Sequence, residues 1–203
     1  MNLSIIVPCH NLEHFITPLL VSLYLQNLSR YKVELIFICD NCSDSTKQII
    51  EKFDFEDKYT KTILEVNVKS CGLARNEGLK IAQGEYIWFI DGDDWLIDNC
   101  AIKKVLRFII PKKLPIIRFD YKDPGNFPHR GYFSMVWQYV YSKEILEGIT
   151  FIAAQPHEDV DFQKKILKKL DNQDIFFLDE NLYFYNYKRD GSNMQLHFAN
   201  KKI

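Results

Sequence analysis

Asp91 and Asp93 flank Gly92 in the stretch IWFIDGDDW, residues 87–95. Two carboxylates one residue apart suit a hard divalent cation that keeps its other positions for water and phosphate oxygens. Gly92 lets the backbone turn sharply or approach a bound group closely, and Asp94 is placed to support the pair or to cap the next segment of chain. A second acidic group, His157, Glu158 and Asp159, opens a helix expected to run to about Leu170. Acids in a helix's first turn are ordinary partners of its dipole, so on their own they say little. Cys39 and Cys42 form a C-x-x-C, but no second Cys or His pair follows at zinc-finger spacing, and they read as small residues near strand ends.

The acids need elements to hold them. Ile87, Trp88, Phe89 and Ile90 run directly into Asp91, which predicts a buried parallel strand delivering carboxylates beyond its carboxyl end, where open α/β sheets bind ligands. Leu3–Pro8 and Val33–Cys39 read as two further buried strands. Between them Leu12, Phe15, Ile16, Leu19, Leu20 and Leu23 mark one face of a helix, with Pro18 tolerable only near its start. Asp40, Asn41, Ser43 and Asp44 form a loop rich in helix-capping residues, and Ile49, Ile50 and Phe53 continue it as a helix. Ile63–Val66 predicts a third strand, and 72–83 a helix stopped by Gly84. Strand alternating with helix is the signature of a parallel sheet with crossover helices.

After Trp95 the pattern becomes mixed. A helix is expected from about Asp98 to Ile109, closed by Pro111. A strand at Pro115–Tyr121 should turn near 123–126 onto a partner at Tyr132–Val136. A short helix is expected near Ser142, and two aromatic strands at Ile175–Leu178 and Leu182–Tyr187. No Gly, Ser or Pro linker separates the regions, so the expectation is one domain over 1–203, with a ligand-binding half at 1–98 and a smaller mixed half at 99–203.

Apolar residues make up 47% of the 203, ample for a core, and 26 Lys plus Arg against 27 Asp plus Glu give a net charge of −1. That balance argues against a nucleic-acid partner. The absence of a secretory leader pattern or a membrane-spanning apolar run, with an odd set of five cysteines, predicts a cytoplasmic location with reduced thiols. Lys164, Lys165, Lys168 and Lys169, interleaved with Ile166 and Leu167, leave a peripheral contact with the inner face of an anionic membrane as an expectation beside a plain solvated face.

Taken jointly, SIIVPCHN, DNCSDST, GLARNEGLKIAQGEYIWFIDGDDW, WQYVYSKEIL, HEDVDF and LYFYNYKRDGS resemble the inverting glycosyltransferases of family 2. The resemblance covers nearly the whole chain and implies the GT-A fold: an α/β, Rossmann-like, mostly parallel central sheet flanked by helices, with a smaller mixed acceptor-side region. It implies a metal-dependent hexosyltransferase that uses a nucleotide-sugar donor, expected to be a UDP-sugar. The acceptor would be a glycan or lipid-linked saccharide in bacterial surface polysaccharide or lipooligosaccharide synthesis.

Residue by residue, the resemblance places Pro8, His10, Asn11, Glu13 and Asp40 at the nucleoside pocket. A carboxylate can accept the imide N–H of uracil and an imidazole can stack on the ring, although His10 stands where family members often carry an aromatic. Arg75 and Asn76 would meet the pyrophosphate at a helix start. Asp91 and Gly92 would touch the donor, and Asp93 with Asp91 would hold Mn²⁺ or Mg²⁺ in the D-x-D motif. Asp159 would be the catalytic base, with Glu158 orienting it or contacting the acceptor. Trp137 and His157 would line the acceptor side, and Arg189 would close over the pyrophosphate.

A catalytically inactive nucleotide-binding module of the same fold is the competing expectation. A phosphohydrolase is disfavoured because DGDDW lacks the Thr or Val expected after the second acid. A dinucleotide oxidoreductase is disfavoured because no G-x-G-x-x-G follows the first strand.

Overall fold

The computed structural model describes residues 1–125, 135–153, 158–170 and 175–188. Its frame is the alternation the sequence predicts: β1 (Leu3–Cys9), α1 (Ile16–Tyr24), β2 (Val33–Asp40), α2 (Thr46–Lys52), β3 (Thr60–Val66), α3 (Cys71–Ile81) and β4 (Tyr86–Phe89). These four strands pair in parallel, in the order β3-β2-β1-β4. Every residue of β1, β2 and β4 is buried, because both faces of the sheet are covered. Leu3, Ile5 and Val7 pack with α1 on one face, while Ile6, Ile36, Ile38, Ile87 and Phe89 pack on the other. Alternate side chains thus enter different cores, which is why the strands read as unbroken apolar runs. Pro18 lies in the first turn of α1, where its missing N–H breaks no bond.

The second half continues the same sheet. β5 (Trp95–Leu96), α4 (Ala101–Lys112), β6 (Ile116–Lys122), β7 (Tyr139–Ser142), α5 (Glu158–Leu167) and β8 (Ile175–Phe184) complete the described elements. The strand order becomes β3-β2-β1-β4-β7-β6-β8-β5. β7 is antiparallel to both β4 and β6, β8 is parallel to β6, and β5 is antiparallel to β8. α4 packs with α1 on one face, and α3 with α5 on the other.

Four expectations need correcting. Pro111 lies inside the last turn of α4, and the helix stops at Lys113 in the left-handed region, φ 49°. The antiparallel partner of β6 is β7, with Ile116 opposite Tyr141. Val136, the end of the expected partner, instead opens a 3₁₀ turn over Val136–Gln138, and 126–134 lie outside the described residues. No helix begins at Ser142, which ends β7 and accepts from the Ile145 N–H at 3.2 Å in a run of turns. The two expected C-terminal strands are one, β8, whose register against β6 shifts between Phe119 and Tyr121.

The lysines in and just after α5 are partly committed. Lys165 pairs with Asp161 at 2.6 Å and donates to the Thr150 carbonyl at 3.0 Å. Lys169 donates to the carbonyls of Ile145 and Glu147. Both staple the turns after β7. Among the described residues no helix is long and apolar enough to cross a membrane.

Candidate active site

Beyond the end of β4 the chain makes a tight turn through Asp91–Asp94, closed by the Asp94 N–H on the Asp91 carbonyl at 3.1 Å. Gly92 is needed for packing: a Cβ there would lie 2.5 Å from Leu12 Cδ1 and 3.3 Å from the Pro8 carbonyl. The turn therefore presses against the loop after β1. From the other side β8 holds it. Tyr183 Oη accepts the Asp91 N–H at 3.1 Å and donates to Asp94 Oδ2 at 2.7 Å. The Asn186 N–H reaches Asp94 Oδ1 at 2.7 Å, and its side chain reaches the Asp93 carbonyl at 3.3 Å. Asp94 is 1% exposed. Burial first, then the charges of Asp93 and Asp91, push its carboxyl well above the usual range, and the donors around it bind this buried acid in place.

The acidic turn meets the later acids through α3. Ser70 caps this helix, accepting the Leu73 N–H at 3.4 Å. Gly72 brings it close to the start of α5, since a Cβ there would lie 2.9 Å from Phe151 Cβ and 3.2 Å from Glu158 Cβ. One turn on, Arg75 donates from Nη2 to Asp91 Oδ1 at 2.7 Å and from Nη1 to Asp159 Oδ1 at 2.8 Å. One guanidinium thus joins the D-x-D turn to Asp159, 84 positions after Arg75 in sequence. Arg75 is 3% exposed, while Asp91 and Asp159 keep 23% and 25% of their side-chain surface open. Burial opposes the guanidinium charge, but the carboxylates, Asp159 foremost, outweigh it and raise its pKa further. Asp159 is pushed up to about 6: burial raises it, Arg75 lowers it, and Asp91 and Glu158 raise it again. A carboxyl near 6 suits a proton acceptor working at neutral pH.

Two residues expected at the pyrophosphate have other work. Arg75 lies beneath the carboxylates with its two arms taken. Asn76 exchanges a pair of hydrogen bonds with the Phe151 backbone, both 2.9 Å, and so ties α3 to the segment before α5.

The loops after β1 and β2 form the neighbouring wall. His10 is exposed, its Nδ1 2.7 Å from the Asp40 carbonyl. Asn11, at φ 51°, accepts the Ser43 N–H at 2.8 Å, and Glu13 accepts the Ser45 N–H at 3.0 Å. Asp44, absent from the expected set, receives the Glu13 N–H at 2.9 Å and the Thr46 N–H at 3.0 Å. Asp40 accepts three backbone N–H groups, from Val68, Lys69 and Ser70, at 2.8–3.1 Å. Its carboxylate shapes the entry to α3. Pro8 is buried at the floor of this wall.

Trp137 needs correcting as a sugar-facing ring. It is 2% exposed, stacked on Tyr183 at 4.5 Å and 7°, with Tyr121 edge-on at 4.9 Å. Its place is in the packing under the acidic turn. Glu158 is likewise 8% exposed, beside the closely packed Gly72. His157 and Arg189 lie outside the described residues. Sequence reasoning missed Tyr183 and Asn186, which hold the turn. The only signal was their place in LYFYNYKRDGS.

Among the described residues no three His, Cys, Asp or Glu side chains form a complete metal cage. The donor set still fits a divalent ion of the kind that draws most ligands from phosphate and water, since Asp91 and Asp93 lie in one half-open turn and both are hard oxygen donors. Asp93 with Asp91 would hold it.

Comparison with known proteins places the chain by family and fold. Over 109 residues, 54% of this chain, the sequence is 38% identical to the poly(ribitol-phosphate) beta-N-acetylglucosaminyltransferase TarS of Staphylococcus aureus Mu50, of which the match covers 19%. The crystal structure of S. aureus TarS 1-349 in complex with UDP-GlcNAc superposes with a TM-score of 0.82 and 27% identity, covering 96% of this chain and 61% of that one. The fold alone is shared with the mannosyltransferase PcManGT from Pyrobaculum calidifontis, solved in complex with GDP-Man and Mn²⁺, at a TM-score of 0.78 and 18% identity, with 94% and 58% of the two chains covered. This chain therefore spans only part of each relative. Residues 4–158 match glycosyl transferase family 2, and the chain belongs to that family, with the GT-A fold.

Proposed function

We propose that this chain transfers a hexose, with inversion at the anomeric carbon, from a UDP-sugar to a saccharide or lipid-linked saccharide of the bacterial surface. The observation that carries the reading is the joining of Asp91 and Asp159 through Arg75, with arms of 2.7 and 2.8 Å. It sets the acid read here as donor-side and the acid read as the base on one guanidinium beyond the end of β4. The relatives support the donor class, since TarS was solved with UDP-GlcNAc.

Transfer from a nucleotide diphosphate needs charge stabilised on the departing phosphate and a proton removed from the incoming hydroxyl. A divalent cation, when bound, supplies Lewis-acid stabilisation of the leaving phosphate. Asp93 and Asp91 would provide its protein ligands. His10, at the exposed rim where β1 and β2 end, offers a flat face to the base, and the pinned loops of Asn11 and Glu13 frame that pocket. Asp159 accepts the acceptor's proton as the new bond forms, because a sugar hydroxyl is too weak an acid to ionise beforehand. Its Oδ2 has, among the described residues, only a long 3.5 Å contact from the Val136 N–H, so this oxygen can face a substrate. One base with in-line attack inverts the anomeric centre. Double displacement would need a nucleophile on the opposite face of the sugar, and Asp91 and Asp93 are assigned here to the donor and its cation.

The test is a thermal-shift screen of UDP-GlcNAc, UDP-glucose and UDP-galactose with Mn²⁺ or Mg²⁺, followed by UDP release from the best ligand. A ligand that binds only the native form raises its melting temperature. Stabilisation by a UDP-hexose with the cation, and UDP release, are expected. Stabilisation with no release under any condition would favour the inactive binding module.

A further inference from the structure

Arg75 is neither exposed enough to meet a substrate nor remote from the chemistry. Its Nη1 and Nη2 go to two different acids, Asp159 and Asp91, while its Nε is buried with no hydrogen-bond partner among the described residues. A side chain present only for stability gains nothing from leaving a buried donor unmet. This geometry satisfies the two terminal arms at the expense of the third.

The surroundings fix the guanidinium further. Its centre lies 5.4 Å from the Phe151 ring, which stacks on Phe162 of α5 at 3.8 Å and 5°, and Asn76 pins the Phe151 backbone from the same helix. α3, the 151 segment and the first turn of α5 thus form one packed unit with Arg75 at its centre. The arm on Asp159 takes Oδ1 and leaves Oδ2 with only the long 3.5 Å contact from the Val136 N–H among the described residues.

We propose that Arg75 is a positioning residue of the transfer reaction: one arm fixes Asp159 so that Oδ2 is the proton-accepting oxygen, and the other holds Asp91 so that the base and the D-x-D turn keep a set spacing. This rests on the reading of Asp159 as the base. Lysine cannot replace the arginine, because an ammonium is a single point charge and the two carboxylates are held by separate nitrogens of a planar fork.

A double-mutant cycle tests it: wild type, Arg75→Lys, Asp159→Asn and the double variant, assayed by UDP release from UDP-GlcNAc, UDP-glucose and UDP-galactose with Mn²⁺, with melting temperatures in parallel. Arg75→Lys is expected to lower kcat about 10²-fold while the donor KM moves less than about threefold. In the Asp159→Asn background the same change should add less than about threefold, because a residue acting through another has nothing left to position. If Arg75→Lys fails to melt cooperatively, Arg75→Ala is used instead, and guanidinium chloride at millimolar concentration should restore UDP release where ammonium chloride does not. Equal losses in both backgrounds, or wild-type kcat in Arg75→Lys, would overturn the positioning role while leaving the proposed function standing. A wild-type chain that releases UDP from none of the three donors would overturn that function and this role with it.

Discussion

Tyr183 donates to Asp94 at 2.7 Å while accepting the Asp91 N–H at 3.1 Å, so one phenol near the end of β8 spans both ends of the acidic turn. Trp137 stacks on its ring, which fixes the hydroxyl from behind. Tyr183→Phe keeps the ring and removes the bridge, leaving a buried acid and an N–H short of partners. Such a loss costs about 1–3 kcal/mol, or roughly 2–10 °C in melting temperature for a chain of this size. UDP affinity should fall as well, since the turn loses its shape. An unchanged melting temperature would show that β8 does not hold the turn.

Asp159 gives the reaction a pH signature. With its carboxyl near 6, the base is ionised above that value, and kcat/KM for UDP release should fall tenfold per unit below it. The stability effect has the opposite sense. A carboxyl whose folded pKa exceeds its unfolded value favours the fold when protonated, so its contribution is present below about 4 and is lost as pH rises through about 6. Between pH 5 and pH 8 the melting temperature of wild type should accordingly fall by a few degrees relative to that of Asp159→Asn, on top of a constant offset from the partner Arg75 loses. A constant difference across that range would contradict the buried-acid assignment.

Two glycines separate backbone packing from side-chain packing. A Cβ on Gly84 would run into the Ser4 nitrogen and the Leu3 carbonyl carbon, whereas one on Gly92 would first meet Leu12 Cδ1, the movable end of a side chain. Gly84→Ala should destabilise by about 2–4 kcal/mol and Gly92→Ala by about 1. Only Gly92→Ala should weaken UDP binding beyond its effect on stability, because it disturbs the turn itself. Urea unfolding beside UDP titration gives both orderings.

Removing the cation should act through Asp93. In wild type, EDTA is expected to weaken UDP binding by about tenfold or more relative to Mn²⁺, given how few protein ligands such an ion has and how much it takes from phosphate. In Asp93→Ala the two conditions should give equal affinity by calorimetry. A persistent Mn²⁺ dependence in the variant would move the ion to other residues.

The parallel half of the fold was legible because both faces of its strands are buried and every apolar run ends in a loop of polar residues. Ile87–Ile90 into Asp91 is the clearest case. The mixed half was less so. Tyr139–Ser142 is too short to carry a period, and Ser142, which looks like a helix start, serves a turn. Within the site, Asp91 and Asp159 were visible as residue types, but the link between them was not, since nothing local tells that Arg75 faces both. Trp137 and Tyr183 show the same limit from the other side. An aromatic reads alike whether it offers its face to a sugar or to another ring, and only the packing of β8 against the 3₁₀ turn decides.

The most direct measurement of the central claim is transfer by Asp159→Asn beside its donor affinity. The variant should bind UDP-GlcNAc, or whichever UDP-hexose stabilises wild type, within about threefold of wild type while turnover falls by roughly 10²–10⁴-fold. Turnover at the wild-type rate would remove Asp159 as the base and, with it, the reason for Arg75 to join it to the D-x-D turn.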